Sequence, residues 1–170
     1  MGYTHYWYRP AEIPKPAWNG WAGDVRRLIG RFNASSGHTH RVAQEFNNDP
    51  WRSPTVTATQ VRFNGFGKEF GHETFHVERV FEDVYKQGPK PDGTFFACCK
   101  TAQKPYDELV VACLVALKHH FPEVKVSTDG EMEDWRAGLS LCQSVLEYGA
   151  EFYVVDRVLE HKALVAVSVS

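Results

Sequence analysis

The longest apolar run in the chain, Leu109 to Leu117, carries no polar side chain and is bracketed by helix signals. Pro105 suits a first helical position, where its missing N–H is no loss. Asp107 and Glu108 suit the positive end of the helix dipole. His119 and His120 mark a last turn, and Pro122 stops it. A helix apolar on all sides is buried, so this element is expected at the centre of the fold. Helical spacing recurs over Trp18 to Phe32 (Trp18, Trp21, Val25, Leu28, Ile29, Phe32), with Asp24 as an internal cap and Arg26, Arg27 and Arg31 on a solvated face. It recurs again over Trp135, Leu139, Cys142 and Leu146, with Gly149 placed as C-terminal cap.

Period-2 alternation predicts strands elsewhere. Tyr3 to Arg9 sets Tyr3, His5 and Trp7 on one face and Thr4, Tyr6 and Tyr8 on the other. Further strands are expected over Thr55 to Asn64, Phe75 to Phe81, Thr94 to Cys99, Val124 to Thr128 and Phe152 to Val155. Asn33 to Pro54 is polar and rich in turn residues. It is long for a loop, so a helical turn near Arg41 to Phe46 or a mobile flap is expected there. Ala163 to Val169 alternates apolar residues behind a charged stretch. An edge of that kind seeks a partner, which predicts a homodimer assembled by the tail. Strands mixed with helices, and hairpins near Gly65 to Gly71 and Gly88 to Gly93, point to an α+β fold: two layers, with a mostly antiparallel sheet covered by two or three helices, in one domain.

Composition narrows the function classes. The chain has 170 residues, 43% hydrophobic and 14% aromatic, which is ample for a core, and a net charge of -2, which announces no global nucleic-acid field. No apolar run reaches spanning length. The aromatic, polar start is unlike a signal peptide, so no membrane partner and a cytoplasmic location are expected. Four cysteines without a C-x-x-C pair read as free thiols.

Three strings carry candidate chemistry. His72-Glu73-Thr74-Phe75-His76 matches the H-E-x-x-H zinc-hydrolase pattern, which needs a helix to bring the two histidines together. In a strand they would lie about 13 Å apart. His72 and Glu73 are catalytic candidates, His72 and His76 alternative zinc ligands, and Glu108 a speculative third ligand; otherwise no cofactor is expected. His38 and His40 form a second, weaker metal pair. Lys100-Thr101-Ala102-Gln103-Lys104 precedes the apolar helix, and two ammonium groups beside free helix N–H groups make an anion site. Ser127-Thr128-Asp129-Gly130 leaves a strand end, with Thr128 or Asp129 available as a helix cap. If these loops gather, a small anionic ligand, nucleotide-like in chemistry, is expected among His5, Arg62, Asn64, His72, Glu73, Lys100, Thr101, Lys104, Tyr106 and Asp129. A base would stack on Tyr6, Trp7 or Tyr106. The competing expectation is a protein-binding surface that includes Trp18, Trp21 and Trp51.

GYTHYW at 2–7, RFNGFG at 62–67, GHETF at 71–75, CKTAQKPYDELV at 99–110 and STDGE at 127–131 occur in this order. Together they resemble an uncharacterised family of small bacteriophage and bacterial proteins, over most of the chain up to Gly149. The resemblance implies a phage or mobile-element origin, a setting of host modification or counter-defence; the protein-binding expectation there is an inhibitor of a host defence complex, with a host protein as partner. The resemblance implies no activity, and its GHETF lacks the final histidine of the zinc pattern.

Overall fold

The computed structural model describes residues 2–36, 40–45, 47 and 50–162. The expected dimerising tail, Ala163 to Val169, and His38 lie outside them. The fold is α+β, and the described residues form three helices and two antiparallel sheets rather than the single sheet expected. Strand β1 (Thr4–Arg9) follows its alternation: His5, Trp7 and Arg9 point inward, Thr4, Tyr6 and Tyr8 outward. Helix α1 (Lys15–Ser35) begins earlier than its periodicity predicts, because Pro14 and Pro16 set up its first turn. Its buried stripe runs Trp18, Trp21, Val25, Leu28, Ile29 and Phe32. Asp24 is no cap; it sits in mid-helix and accepts from His120 Nε2 at 2.6 Å and Tyr148 Oη at 2.8 Å.

The second sheet holds β2 (Val42–Ala43), β3 (Thr55–Val56), β4 (Gln60–Gly65) and β5 (Phe75–Glu78), all antiparallel to β4. The segment expected to coil near Arg41 is thus the short strand β2, and the strand expected over Thr55 to Asn64 is a tight hairpin. The Thr57 hydroxyl accepts the N–H groups of Thr59 and Gln60, and Thr57 N–H closes on Gln60 O at 2.9 Å. This is a hydroxyl-closed turn that needs no glycine.

The first sheet runs β6 (Phe95–Lys100), β1, β7 (Lys125–Thr128), β9 (Val158–His161), β8 (Phe152–Val155). Both β6 and β7 are antiparallel to β1, so they flank it in parallel and α2 (Asp107–His120) crosses over between them. From Leu109 to Leu117 every residue of α2 is fully buried. Pro105 lies in the turn before the helix, not in its first position. Helix α3 (Met132–Leu146) packs across α2, and Gly138 allows the close approach: a Cβ there would lie 2.3 Å from Val111 Cγ1. Its cap is the Glu131–Asp134 box rather than Thr128 or Asp129, and it ends at Glu147 in the left-handed region. Gly149 follows in the connection to β8 with φ 133°.

Candidate functional site

The lysine turn sits where β6 hands over to α2. Thr101 N–H and Ala102 N–H both donate to Tyr3 O, and Lys104 N–H returns to Thr101 O at 3.0 Å. Ala102 and Gln103 hold φ of 51° and 54°, a left-handed pair without glycine. Beneath the turn, His5 is fully buried with Nε2 2.7 Å from Asp107 Oδ1, and the Thr101 hydroxyl donates to the same oxygen. His5 Nδ1 and Trp135 Nε1 have no partner among the described residues, and their rings meet at 5.3 Å. Tyr3 lies edge-on to His5 at 5.2 Å. Its hydroxyl makes no hydrogen bond of good geometry, although Thr128 is near enough to ease its ionisation. Burial, reinforced by Asp107, Asp134 and Asp129, pushes this phenol well above its ordinary range. The field at this buried cluster is therefore negative.

The other residues expected here divide into groups. Glu73 and His72 join the turn through its backbone. Glu73 Oε2 accepts Lys100 N–H at 2.7 Å, Glu73 N–H donates to Lys100 O at 3.2 Å, and His72 Nδ1 donates to Lys100 O at 3.0 Å. Tyr106 is fully buried and donates to Glu73 O at 2.6 Å. Neither Tyr106 nor Trp7, 1% exposed, can offer a face to a base; Tyr6 alone of the three is part exposed. Buried Asn64 clamps the loop, donating to His72 O at 2.9 Å and Thr74 Oγ1 at 3.1 Å and accepting from His72 N–H. Arg62 is engaged with Glu45, 2.8 Å from its Nε. Asp129 accepts from Thr4 N–H at 3.0 Å and Tyr6 Oη at 3.1 Å, on the outer face of β1. The Lys100 side chain lies along Gly2, where a Cβ would come within 3.0 Å of its Cε. Lys104 is half-buried and pairs with no carboxylate among the described residues. Two further expectations fail on burial and secondary structure. Trp18 and Trp21 are core residues, not a surface. The HETFH string has no helix: His72 is in a loop, and His76 is on β5 with Nε2 3.1 Å from Gln60 Oε1. Glu108 is a half-buried carboxyl whose pKa burial raises. Among the described residues no three His, Cys, Asp or Glu side chains gather as a metal-binding group, and no helix is long and apolar enough to cross a membrane.

The feature that the sequence did not reveal lies beside Glu73. Strands β5 and β6 approach but do not pair. Glu73 and Lys100 pin them at one end; Arg9 pins the other. Arg9 is 1% exposed, and its guanidinium donates to the backbone oxygens of Glu78, of Arg79 (2.9 Å) and of Pro10 (3.1 Å). Burial lowers its pKa to about 10, which leaves it charged at neutral pH. Between the pins opens a cleft of about 660 Å³. Its walls include Phe95, Phe96, Phe81 and Tyr85, its rim Glu73, Glu78, Glu82 and Asp83. Tyr85 is 82% and Val84 69% exposed.

Along the cleft, β6 has a free edge. Lys100 turns both its N–H and its C=O away from β1, and antiparallel ladders repeat that orientation every second residue. Cys98 and Phe96 therefore face the cleft in the same way, and neither makes a backbone bond outside the β1 ladder among the described residues. The Cys98 thiol is exposed at this edge; partial burial and Glu73 raise its pKa, so it is a weak nucleophile. No protein-family model, no curated protein and no solved structure matches this chain.

Proposed function

We propose that the protein is a binding module that captures an extended segment of a partner polypeptide in the cleft between β5 and β6. The observation that supports this is the free edge of β6 at Phe96 and Cys98, held open by two pins beside an aromatic wall. Main-chain bonds along such an edge provide affinity, and the flanking side chains provide selectivity. In the phage setting that the resemblance implies, the partner is a host protein and the consequence host modification or counter-defence. The test is a display library of seven-residue peptides selected on the protein. Enriched segments should lose binding to Cys98→Pro, which removes an edge N–H that the β1 ladder does not use. They should also lose binding when their own alternate amides are methylated. Equal binding in both cases refutes the reading.

A second reading keeps the small ligand at the lysine turn. It is favoured by three adjoining side chains, each with one buried polar atom that lacks a partner among the described residues, Tyr3 Oη, His5 Nδ1 and Trp135 Nε1; such groups are rarely left unsatisfied. The carboxylates of Asp107, Asp129 and Asp134 oppose an anion there, so this reading ranks second. Inorganic phosphate and mononucleotides at millimolar concentration should raise the melting temperature of the wild type but not of Lys104→Ala. No shift with any of them removes the reading.

A further inference from the structure

Resting on the docking reading, we infer that the segment the cleft accepts is basic, with lysine or arginine at every second position and small residues between. The argument starts from which side chains share a face. On β5, Phe75 and Val77 are buried while His76 and Glu78 lie on the outer face. On β6, register with Tyr6 and Tyr8 puts Cys98 and Phe96 on that outer face too. Phe96 meets both tyrosines, with ring centroids 6.0 Å and 5.5 Å away. A strand seated between β5 and β6 directs alternate side chains to this outer face and the others inward.

The outer face is acidic. Glu73, Glu78, Glu82 and Asp83 border it, against Lys90 and His76. Asp83 is occupied with the N–H groups of Gln87 and Gly88, at 3.0 Å and 2.7 Å. Glu73 holds Lys100 N–H. Among the described residues the one ion pair of Glu78 is with the distant His76 Nδ1, at 3.9 Å, where burial favours the neutral imidazole; the buried Arg9 guanidinium, committed to backbone oxygens, is its other cationic neighbour. Glu82 is exposed and forms no ion pair among the described residues. Lys90 stands over the Phe96 ring at 6.0 Å and shows what the wall accepts from a cation. An incoming Lys or Arg can lay its methylene stem on Phe96 and Tyr85 and carry its charge to Glu78 and Glu82. The inner side has no such room. Trp7 packs on Phe75 at 5.5 Å, and Arg9 fills the far end. Inward residues of the segment must therefore be small.

The experiment uses fluorescein-labelled seven-residue peptides that alternate lysine, glutamine or glutamate with alanine. Binding to the wild type and to the Glu78→Gln/Glu82→Gln variant is followed by anisotropy. Both substitutions are at part-exposed or exposed positions, and the unchanged melting temperature of the variant serves as the folding control. The lysine peptide is expected to bind, the glutamate peptide not, and the variant to lose about tenfold in affinity for the lysine peptide. The loss should be smaller in high salt. If lysine and glutamine peptides bind alike, or the variant binds the lysine peptide unchanged, the basic selectivity is overturned while strand docking stands. If no peptide binds, and Cys98→Pro changes nothing in the library selection, the docking reading fails with it.

Discussion

Replacing Arg9 by methionine removes one of the two pins that hold β5 and β6 apart. Methionine keeps much of the stem volume and deletes the guanidinium. That group donates to four backbone oxygens, of Pro10, Ala11, Glu78 and Arg79, in two segments far apart in sequence. Arg79 O retains the Ile13 N–H at 2.9 Å, so it stays satisfied. Glu78 O loses a charged donor inside the protein. Leaving a buried carbonyl short of its donor costs about 1–3 kcal/mol, and lost bonds to a charged group add to this, offset by not burying a cation. A net loss of about 2–4 kcal/mol follows. At about 2–4 °C per kcal/mol for a chain of this size, melting should fall by about 5–15 °C. Arg9→Lys should recover little, since a single ammonium nitrogen cannot reach the oxygens that three separate guanidinium nitrogens serve. Thermal unfolding by circular dichroism measures the size of the effect, and hydrogen exchange its place. Protection should drop in peptides covering 9–13 and 76–82 while α2 stays protected. A melting change under about 2 °C, or a protection loss that is as large in α2, would show that Arg9 is not a pin.

Three further substitutions test the packing and the turn. Gly138→Ala places a methyl 2.3 Å from Val111 Cγ1 and 2.9 Å from Glu108 O and should destabilise by about 1–3 kcal/mol, with partial rescue by Val111→Ala, read in urea unfolding. Ala102→Gly relieves a left-handed residue and should leave stability unchanged or raise it by up to about 1 kcal/mol, where the same exchange in an exposed helix would lower it. Burial raises the pKa of Glu108, so the folded state favours its protonated form, and the penalty grows as pH climbs past the ordinary carboxylate range. Glu108→Gln should therefore melt higher than the wild type near neutral pH, with the gap closing below about pH 4; a constant gap across that range rules out ionisation as the cause.

What could be read from the chain depended on whether the signal was local. Leu109 to Leu117 is apolar on all sides, and no environment other than the interior suits it, so both its helix and its burial were legible. The alternation of β1 was legible too, and continuing it by one step puts Arg9 inward. Arginine is read as solvated because its partners, the oxygens of Glu78 and Arg79, lie some seventy positions away. The Thr57–Gln60 turn was hidden because threonine and alanine fit a strand equally well, and the hydroxyl that closes the turn leaves no glycine to mark it. The strand β9 was hidden in the same way. Asp156 and Arg157 turn the chain at φ 50° and 62°, positions where glycine or asparagine is the usual sign. Within the candidate site, the strings around His72, Lys100 and Asp107 were found, and their hydrogen bonds to one another were not. Those bonds join backbone to side chain across three segments, and no spacing rule covers them.

The cleft raises the question of what would oppose pairing of its open edge with a second copy of the chain. Free edges of sheets invite such pairing unless charge or shape prevents it. Here both answers come from the residues that frame the cleft. Glu73 occupies Lys100 N–H, so the edge is shortened from one end, and Arg9 closes the other. A second copy presenting β6 edge to edge would bring a second set of rim carboxylates to the cleft bordered by Glu73, Glu78 and Glu82, and like charges repel. The rim that would oppose a second copy is also complementary to a cationic strand. Neutralising Glu78 and Glu82 should therefore do two things together: weaken capture of a basic segment and raise the apparent mass of the protein at high concentration in light scattering. If the apparent mass of the variant equals that of the wild type at every concentration, the rim does not protect the edge.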